Sequence, residues 1–356
     1  MLGSAPCLSI HTPAGLGLAR LIECLSHGTA VVAAGVATAL VATLPSPAKA
    51  DAEFFRGKTV TYIVATAPGG GFDFYGRLAA EAMQRQLPGA TFVVKNMPGA
   101  GHMLGANAIN ASKPDGLTIG TFSTGMIYNQ LVGLEGLKLD LAKMSWIGKA
   151  TSDPRVMVIS QNSPIKSYAD LKASKDVNFA AAGVGSAAYV ETKMLADALK
   201  LPIKLITGYN GNEDQLAMRR GEITGKIDPR SSTEEFVKNG YGRLIIQIGG
   251  SETDVPQLSN FVDTPEAKAL VTLIRSQGDI SRLTVGPPAI PAPQLETLRA
   301  TYRRAMDDSD FRAKAEKGGG RPVEAAIGED VAKMVRAALD QSSQTIALLK
   351  AALAAK

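Results

Sequence analysis

The sequence predicts an α/β chain of mostly parallel strands with helices on their faces. Short β-branched runs recur, each broken by glycine and followed by apolar residues at helical spacing. This strand–loop–helix order begins near residue 59 and starts afresh after Asp153-Pro154. The 356 residues are 45% hydrophobic and 20% charged, a globular balance whose length suits two domains of ~150 residues.

The elements follow in order. Residues 59–64 (TVTYIV) read as a strand, ended by Ala67-Pro68-Gly69-Gly70-Gly71. Asp73 then stands where a helix cap belongs, ahead of Tyr75, Leu78, Ala79, Ala82 and Met83 at helical spacing. Residues 91–94 form a second strand, 102–111 a helix, Lys113-Pro114-Asp115-Gly116 a turn and 117–122 a third strand. After 153 come strands at 156–159, 177–181, 203–206 and 243–248, with helices from 167, over 187–199 and over 212–220. Two long helices are expected near 293–317 and 329–353, and 250–280 carries no readable pattern. Trp146, between Ser145 and Ile147, reads as core.

Ahead of this body, residues 29–44 hold no charge, Arg20 precedes them and Ala48-Lys49-Ala50 follows. That is the layout of a secretory signal cleaved after Ala50, and the run is shorter than the ~20 residues of a membrane span. Retention as an uncleaved anchor is the other reading. Removing 50 of the 356 residues leaves 306. Arg20, Lys49 and Glu23 leave with them, so 38 basic and 33 acidic residues become 36 and 32, a charge of +4. Cys7, Cys24, His11 and His27 leave too, so the exported body is expected to hold no cysteine and one histidine, His102. That excludes disulfides, thiolate metal sites and cysteine nucleophiles from the body. A charge this thin, with no five-residue basic cluster, argues against nucleic acid.

The loop Gly69-Gly70-Gly71-Phe72-Asp73 joins a strand to a helix N-terminus, where free N–H groups and the helix dipole favour an anion. Gly183-Val184-Gly185-Ser186-Ala187-Ala188 meets the dinucleotide pattern, but the next strand ends in Ile206-Thr207-Gly208-Tyr209 without the acid that would hold a ribose. It reads as an anion or ligand loop with the Ser186 hydroxyl available, or as a tight turn. Gly57-Lys58-Thr59 precedes its strand and is no P-loop. Ser123-Thr124-Gly125 lacks the earlier glycine of a nucleophile elbow, because that position is Thr121. His102, beside a Pro-Gly turn, reads as structural, and Glu213 and Asp214 read as a solvated helix face. No carboxylate spacing suggests a metal cage.

Several blocks recur in a known order. Lys58-Thr59-Val60 leads through Pro68-Gly69-Gly70-Gly71-Phe72-Asp73 to Arg77. Val93-Val94-Lys95-Asn96-Met97-Pro98-Gly99-Ala100-Gly101 follows, then Pro114-Asp115-Gly116-Leu117-Thr118-Ile119. Further on stand Gly183-Val184-Gly185-Ser186, Gly208-Tyr209-Asn210-Gly211, and Gly221-Glu222-Ile223 through Asp228. From about residue 54 onward the chain resembles the Bug family, the periplasmic substrate-binding receptors of tripartite tricarboxylate transporters. Gly71 stands where that family often has Ser or Thr, Tyr189 where it often has His, and Thr224 where it has Asp. These departures bear on the ligand.

The resemblance implies a bilobed Venus-flytrap fold, two mostly parallel sheets flanked by helices with a hinge. Lobe one is expected at 51–152 and 282–356 and lobe two at 153–281, with crossings near Asp153 and Arg282. A small carboxylic acid would lie between them. Gly69, Gly70, Gly71, Phe72, Asp73, Ser123, Thr124 and Gly125 would face it from one side. Gly183, Gly185, Ser186, Tyr189, Tyr209, Asn210 and Asp228 would face it from the other. Oriented neutral donors are expected to suffice, without a buried arginine. The resemblance further implies a periplasmic monomer with no catalytic residues, metal or cofactor, serving transporter permease subunits. The alternatives are an accessory protein that presents its closed form to a membrane sensor, and a secreted hydrolase.

Overall fold

The computed structural model describes residues 51–354; the leader and its cysteines lie outside the described residues. In chain order the elements are β1 (Thr59–Val64), α1 (Gly71–Gln86), β2 (Thr91–Asn96), α2 (Met103–Asn110), β3 (Thr118–Thr121), α3 (Gly125–Val132) and β4 (Ser145–Lys149). Then come β5 (Arg155–Ser160), α4 (Tyr168–Ala173), β6 (Val177–Ala181), α5 (Ala187–Leu199), β7 (Ile203–Thr207), α6 (Glu213–Arg220), β8 (Gly225–Pro229), α7 (Arg230–Lys238) and β9 (Gly242–Ile248). The remainder is α8 (Pro265–Asp279), β10 (Leu283–Gly286), α9 (Ala292–Asp307), α10 (Ser309–Gly319), β11 (Ala326–Ile327), α11 (Glu329–Leu339) and α12 (Ser343–Ala354).

The strands make two sheets, β11-β4-β10-β3-β1-β2 and β7-β6-β8-β5-β9. Both are mixed, where mostly parallel sheets were expected. β1 runs parallel to β2 and β3, and β6 runs parallel to β7 and β8. β10 lies antiparallel to β3 and β4, and β5 antiparallel to β8 and β9. Apart from the two-residue edge strand β11, antiparallel to β4, the reversals fall on the strands beside the crossings. β5 enters the second sheet directly from the first, and β10 returns to the first directly from the second. β5 follows β4 with no helix between, and the helix before β10, α8, packs on the second sheet, so neither strand is joined to its neighbours by a crossover helix within its own sheet.

Period-two alternation puts an apolar layer on each face of each sheet. Val60, Tyr62 and Val64 pack with the α1, α9 and α10 side, while Ile63 and Ala65 face Phe122, Trp146 and Val335. In the second sheet Met157, Ile159 and Phe179 meet residues of α5 and α8, while Val158 and Ala180 meet Ala217, Met218 and Phe236.

Each of the two long helices expected near the C-terminus is broken. Asp308 adopts an extended conformation and caps α10 by accepting from the Phe311 N–H. Asp340 likewise leaves the helical region and ends α11. The last helix also departs from the expected division: Leu349 and Ala352 of α12 lie in the core of the second sheet, not the first. The unreadable stretch 250–280 holds a short 3₁₀ turn and α8, whose Thr264 cap accepts from the Ala267 N–H.

The two crossings are tied to each other. Asp153 and Arg282, both with fully buried side chains, form an ion pair of 2.9 Å. Asp153 also accepts from the Ser231 N–H at 3.0 Å and its hydroxyl at 2.6 Å. The Arg282 guanidinium reaches Ser232 Oγ at 2.9 Å and lies over the Phe72 ring, 4.5 Å from its centroid. No helix of the described residues is long and apolar enough to cross a membrane.

Candidate functional site

The carboxyl ends of β1, β3, β6, β7 and β8 converge on one cavity between the sheets, the position where open α/β sheets bind ligands. Its free volume is about 70 Å³. The walls touch around it. The Asn212 side chain donates to Gly69 O at 2.6 Å, and Asn129 Nδ2 donates to Gly185 O at 2.9 Å.

The first wall carries neutral donors. Gly70 caps α1 and the helix opens at Gly71, so the first N–H groups lack helical acceptors. Asp73 is not the cap its position suggested. Its carboxylate accepts from the Gly69 N–H, from Arg77 and from Asn96, and so braces the glycine loop from behind. Burial raises its pKa, and these hydrogen bonds outweigh that and hold it below the ordinary value. A side chain at Gly71 would have to displace the ends of two others. A Cβ there would meet Ser232 Oγ and lie 2.8 Å from Arg282 Nη2. Thr66, Ser123 and His102 complete this wall. Thr66 Oγ1 and His102 Nδ1 are buried without a partner. Burial lowers the His102 pKa to about 4, against an opposing pull from Asp228, so the ring is neutral at pH 7.

The second wall is charged, contrary to the expectation of neutral donors alone. Arg155, at the start of β5, gives its Nε to Glu191 at 2.7 Å, and Tyr128 donates to the same carboxyl at 3.1 Å. Lys226 on β8 lies between Asp214 at 2.7 Å and Asp228 at 2.8 Å. Burial pulls the Lys226 pKa down, but the two flanking carboxylates more than offset it and hold it above the ordinary lysine value. Asp214 is therefore buried and paired, not a solvated helix face. Ser186 caps α5 and accepts from the Tyr189 N–H.

Seven of the residues singled out in the sequence line the cavity together: Gly70, Gly71, Phe72, Ser123, Ser186, Tyr209 and Asp228. Gly69, Thr124, Gly183, Gly185 and Asn210, in the loops, and Asp73, Gly125 and Tyr189, in the first turns of α1, α3 and α5, lie outside the lining. Reading by motif missed Thr66, Arg155, Asp214, Lys226 and Ser232. Lys226 left one trace: a lysine between Gly225 and Ile227, two residues before Asp228. Arg155 looked like an ordinary flank of the Asp153-Pro154 break.

Burial raises the Glu191 pKa to about 7, outweighing the lowering by Arg155 and Tyr128. A carboxyl raised above its unfolded value stabilises fully at low pH. That stabilisation is lost as pH rises from about 4.5 through about 7. Glu191→Gln removes the titration. Relative to wild type, the variant should gain on the order of 3 kcal/mol between pH 4.5 and pH 8. Urea unfolding of both proteins at the two pH values checks this, and curves that stay parallel contradict it.

Two α/β sheets facing each other across a small polar cavity define a bilobed ligand-binding receptor. The model of the tripartite tricarboxylate transporter family receptor matches residues 76–351, and the chain belongs to that family, one of receptors and not of enzymes. A UPF0065 protein from the TAR-I ttuE-ttuC' intergenic region of Agrobacterium vitis is 31% identical over 209 residues, covering 57% of this chain and 60% of that protein. The structure of MatC from Rhodopseudomonas palustris with bound malate is similar in fold, with TM-score 0.67 and 22% identity over 82% of this chain and 99% of that one. Periplasmic binding protein BugD has TM-score 0.69 and 21% identity over 83% and 97%. Among the described residues no group of three His, Cys, Asp or Glu is placed to hold a metal ion.

Proposed function

We propose that the chain captures a small carboxylic acid in the periplasm, as a monomer, and delivers it to the permease subunits of a tripartite tricarboxylate-type transporter. The observation that carries this reading is the unpaired donor set of the first wall. The α1 N-terminus at Gly70 and Gly71, and Ser123, line one cavity together with Thr66. Malate in MatC supports the ligand class. We take lobe one as 51–152 and the chain from 282 up to α12, and lobe two as 153–281 with α12 added. The buried Asp153–Arg282 pair marks the hinge between them. Closure follows from ligand contacts made to both walls and absent from the open form.

The test is thermal unfolding of the protein across mono-, di- and tricarboxylic acids. A true ligand at 100 times its Kd adds about 2.7 kcal/mol and raises Tm by about 5 °C. A flat response across the whole panel contradicts capture of a carboxylate.

A further inference from the structure

Arg282 does more than complete a buried ion pair. It stands on the second crossing with φ 56°, in the left-handed region that a side chain disfavours. Such strain persists only where the surroundings over-determine a conformation. Here they come from both walls of the cavity. Nη2 of Arg282 lies 2.9 Å from Asp153 and donates to Ser231 Oγ at 2.5 Å and to Ser232 Oγ at 2.9 Å. Asp153 and Ser231 also bond to each other, so those two alone would serve an ion pair. Ser232 is different. Its hydroxyl has no other partner among the described residues, it sits in the first turn of α7, and it lines the cavity.

The first wall meets the same group from the other side. The Phe72 ring, which lines the cavity, lies 4.5 Å from the guanidinium carbon, and the Tyr75 ring lies 5.2 Å from it. The loop backbone is close as well, since a Cβ on Gly71 would stand 2.8 Å from Nη2. A guanidinium can stack by its face and donate by its edge at the same time, which an ammonium cannot do. One planar cation therefore touches the first glycine loop, the first turn of α7 and the opposite crossing. Parting the walls draws Phe72 and Ser232 away from each other, and a single rigid group cannot follow both.

Resting on the capture by closing walls proposed above, we infer that Arg282 is a positioning residue for that capture. It holds the Phe72 and Ser232 sides of the cavity at their closed spacing, and so sets how much of the protein stands ready to bind. It does not line the cavity itself, so it acts through the two residues that do. When the binding-competent form is less populated, the apparent affinity falls by the same factor.

The test is a double-mutant cycle on binding. Malate, succinate and citrate are titrated calorimetrically into the full chain, and the tightest is carried through Arg282→Lys, Ser232→Ala and the double variant. Arg282→Lys keeps a cation for Asp153 but gives up the stack on Phe72 and the reach to Ser232. Ser232→Ala leaves the Asp153–Arg282 pair whole, so its fold is not at risk. Loss of a charge-assisted hydrogen bond predicts a Kd about 10- to 100-fold weaker in Arg282→Lys and about 10-fold weaker in Ser232→Ala. Because both act through one contact, the double variant should bind no more weakly than Arg282→Lys alone. A full additional loss on adding Ser232→Ala means that Ser232 serves the ligand directly, and overturns the inference while carboxylate capture stands. Variants that fall in Tm yet bind with wild-type affinity show that Arg282 serves the fold alone, and overturn it too. If wild type takes up none of the three acids, this inference and the capture reading fall together.

Discussion

Asp153→Ala should lower the stability of the protein by about 3–5 kcal/mol, the cost of leaving one member of a buried ion pair without its partner. The residue it abandons is Arg282, fully buried, with Nε and Nη1 already unpartnered. The Ser231 N–H loses its acceptor in the same step. For a chain of this size the loss corresponds to a fall in Tm of about 5–8 °C. Replacing both members, Asp153→Asn with Arg282→Met, should recover part of the loss, because no uncompensated charge then remains inside. Scanning calorimetry of the three proteins measures it. A single variant as stable as wild type would show that the pair at the crossings carries little of the stability.

Gly101→Ala should spare the fold and weaken ligand binding. Gly101 sits in the left-handed region with φ 60°, and its Cα faces the loop of the opposite wall. A Cβ there would run into Val184 O and stand 2.7 Å from Ser186 N, both backbone atoms that cannot swing aside. The walls must then part. Overpacking of this kind costs about 1–3 kcal/mol, which falls on the closed form and weakens binding by about 10- to 100-fold. Titration of a bound acid into wild type and variant checks this, with circular dichroism confirming the fold. Wild-type affinity in Gly101→Ala would mean that the two loops do not meet when ligand is bound.

The strands and their glycine loops were legible because period-two apolar runs ending in glycine are a local signal, and 59–64 and 177–181 needed nothing more. The direction of β10 was not, because it depends on which sheet the chain returns to. The breaks at Asp308 and Asp340 were hidden because aspartate inside an apolar repeat reads as a solvated helix position as easily as a cap. In the site, the neutral wall was visible as motif. The charged wall was not, because Arg155, Glu191, Asp214 and Lys226 come from four elements and become a cluster only when the second sheet forms. Asp214 shows the limit plainly. Its sequence neighbourhood is that of a surface helix, yet Lys226 draws it inside.

A carboxylate held at the first glycine loop should be lost in Gly70→Val. Gly70 has an extended backbone that valine can adopt, and a Cβ there makes only an ordinary contact, 3.5 Å from Gly211 Cα. The substitution therefore leaves the fold intact while its methyl groups occupy the cavity that Gly70 lines. Calorimetric titration of the most stabilising acid should give one-to-one binding in wild type and no detectable heat in Gly70→Val, with unchanged circular dichroism. Binding of that acid to Gly70→Val with wild-type affinity would mean that the carboxylate is not held at this loop.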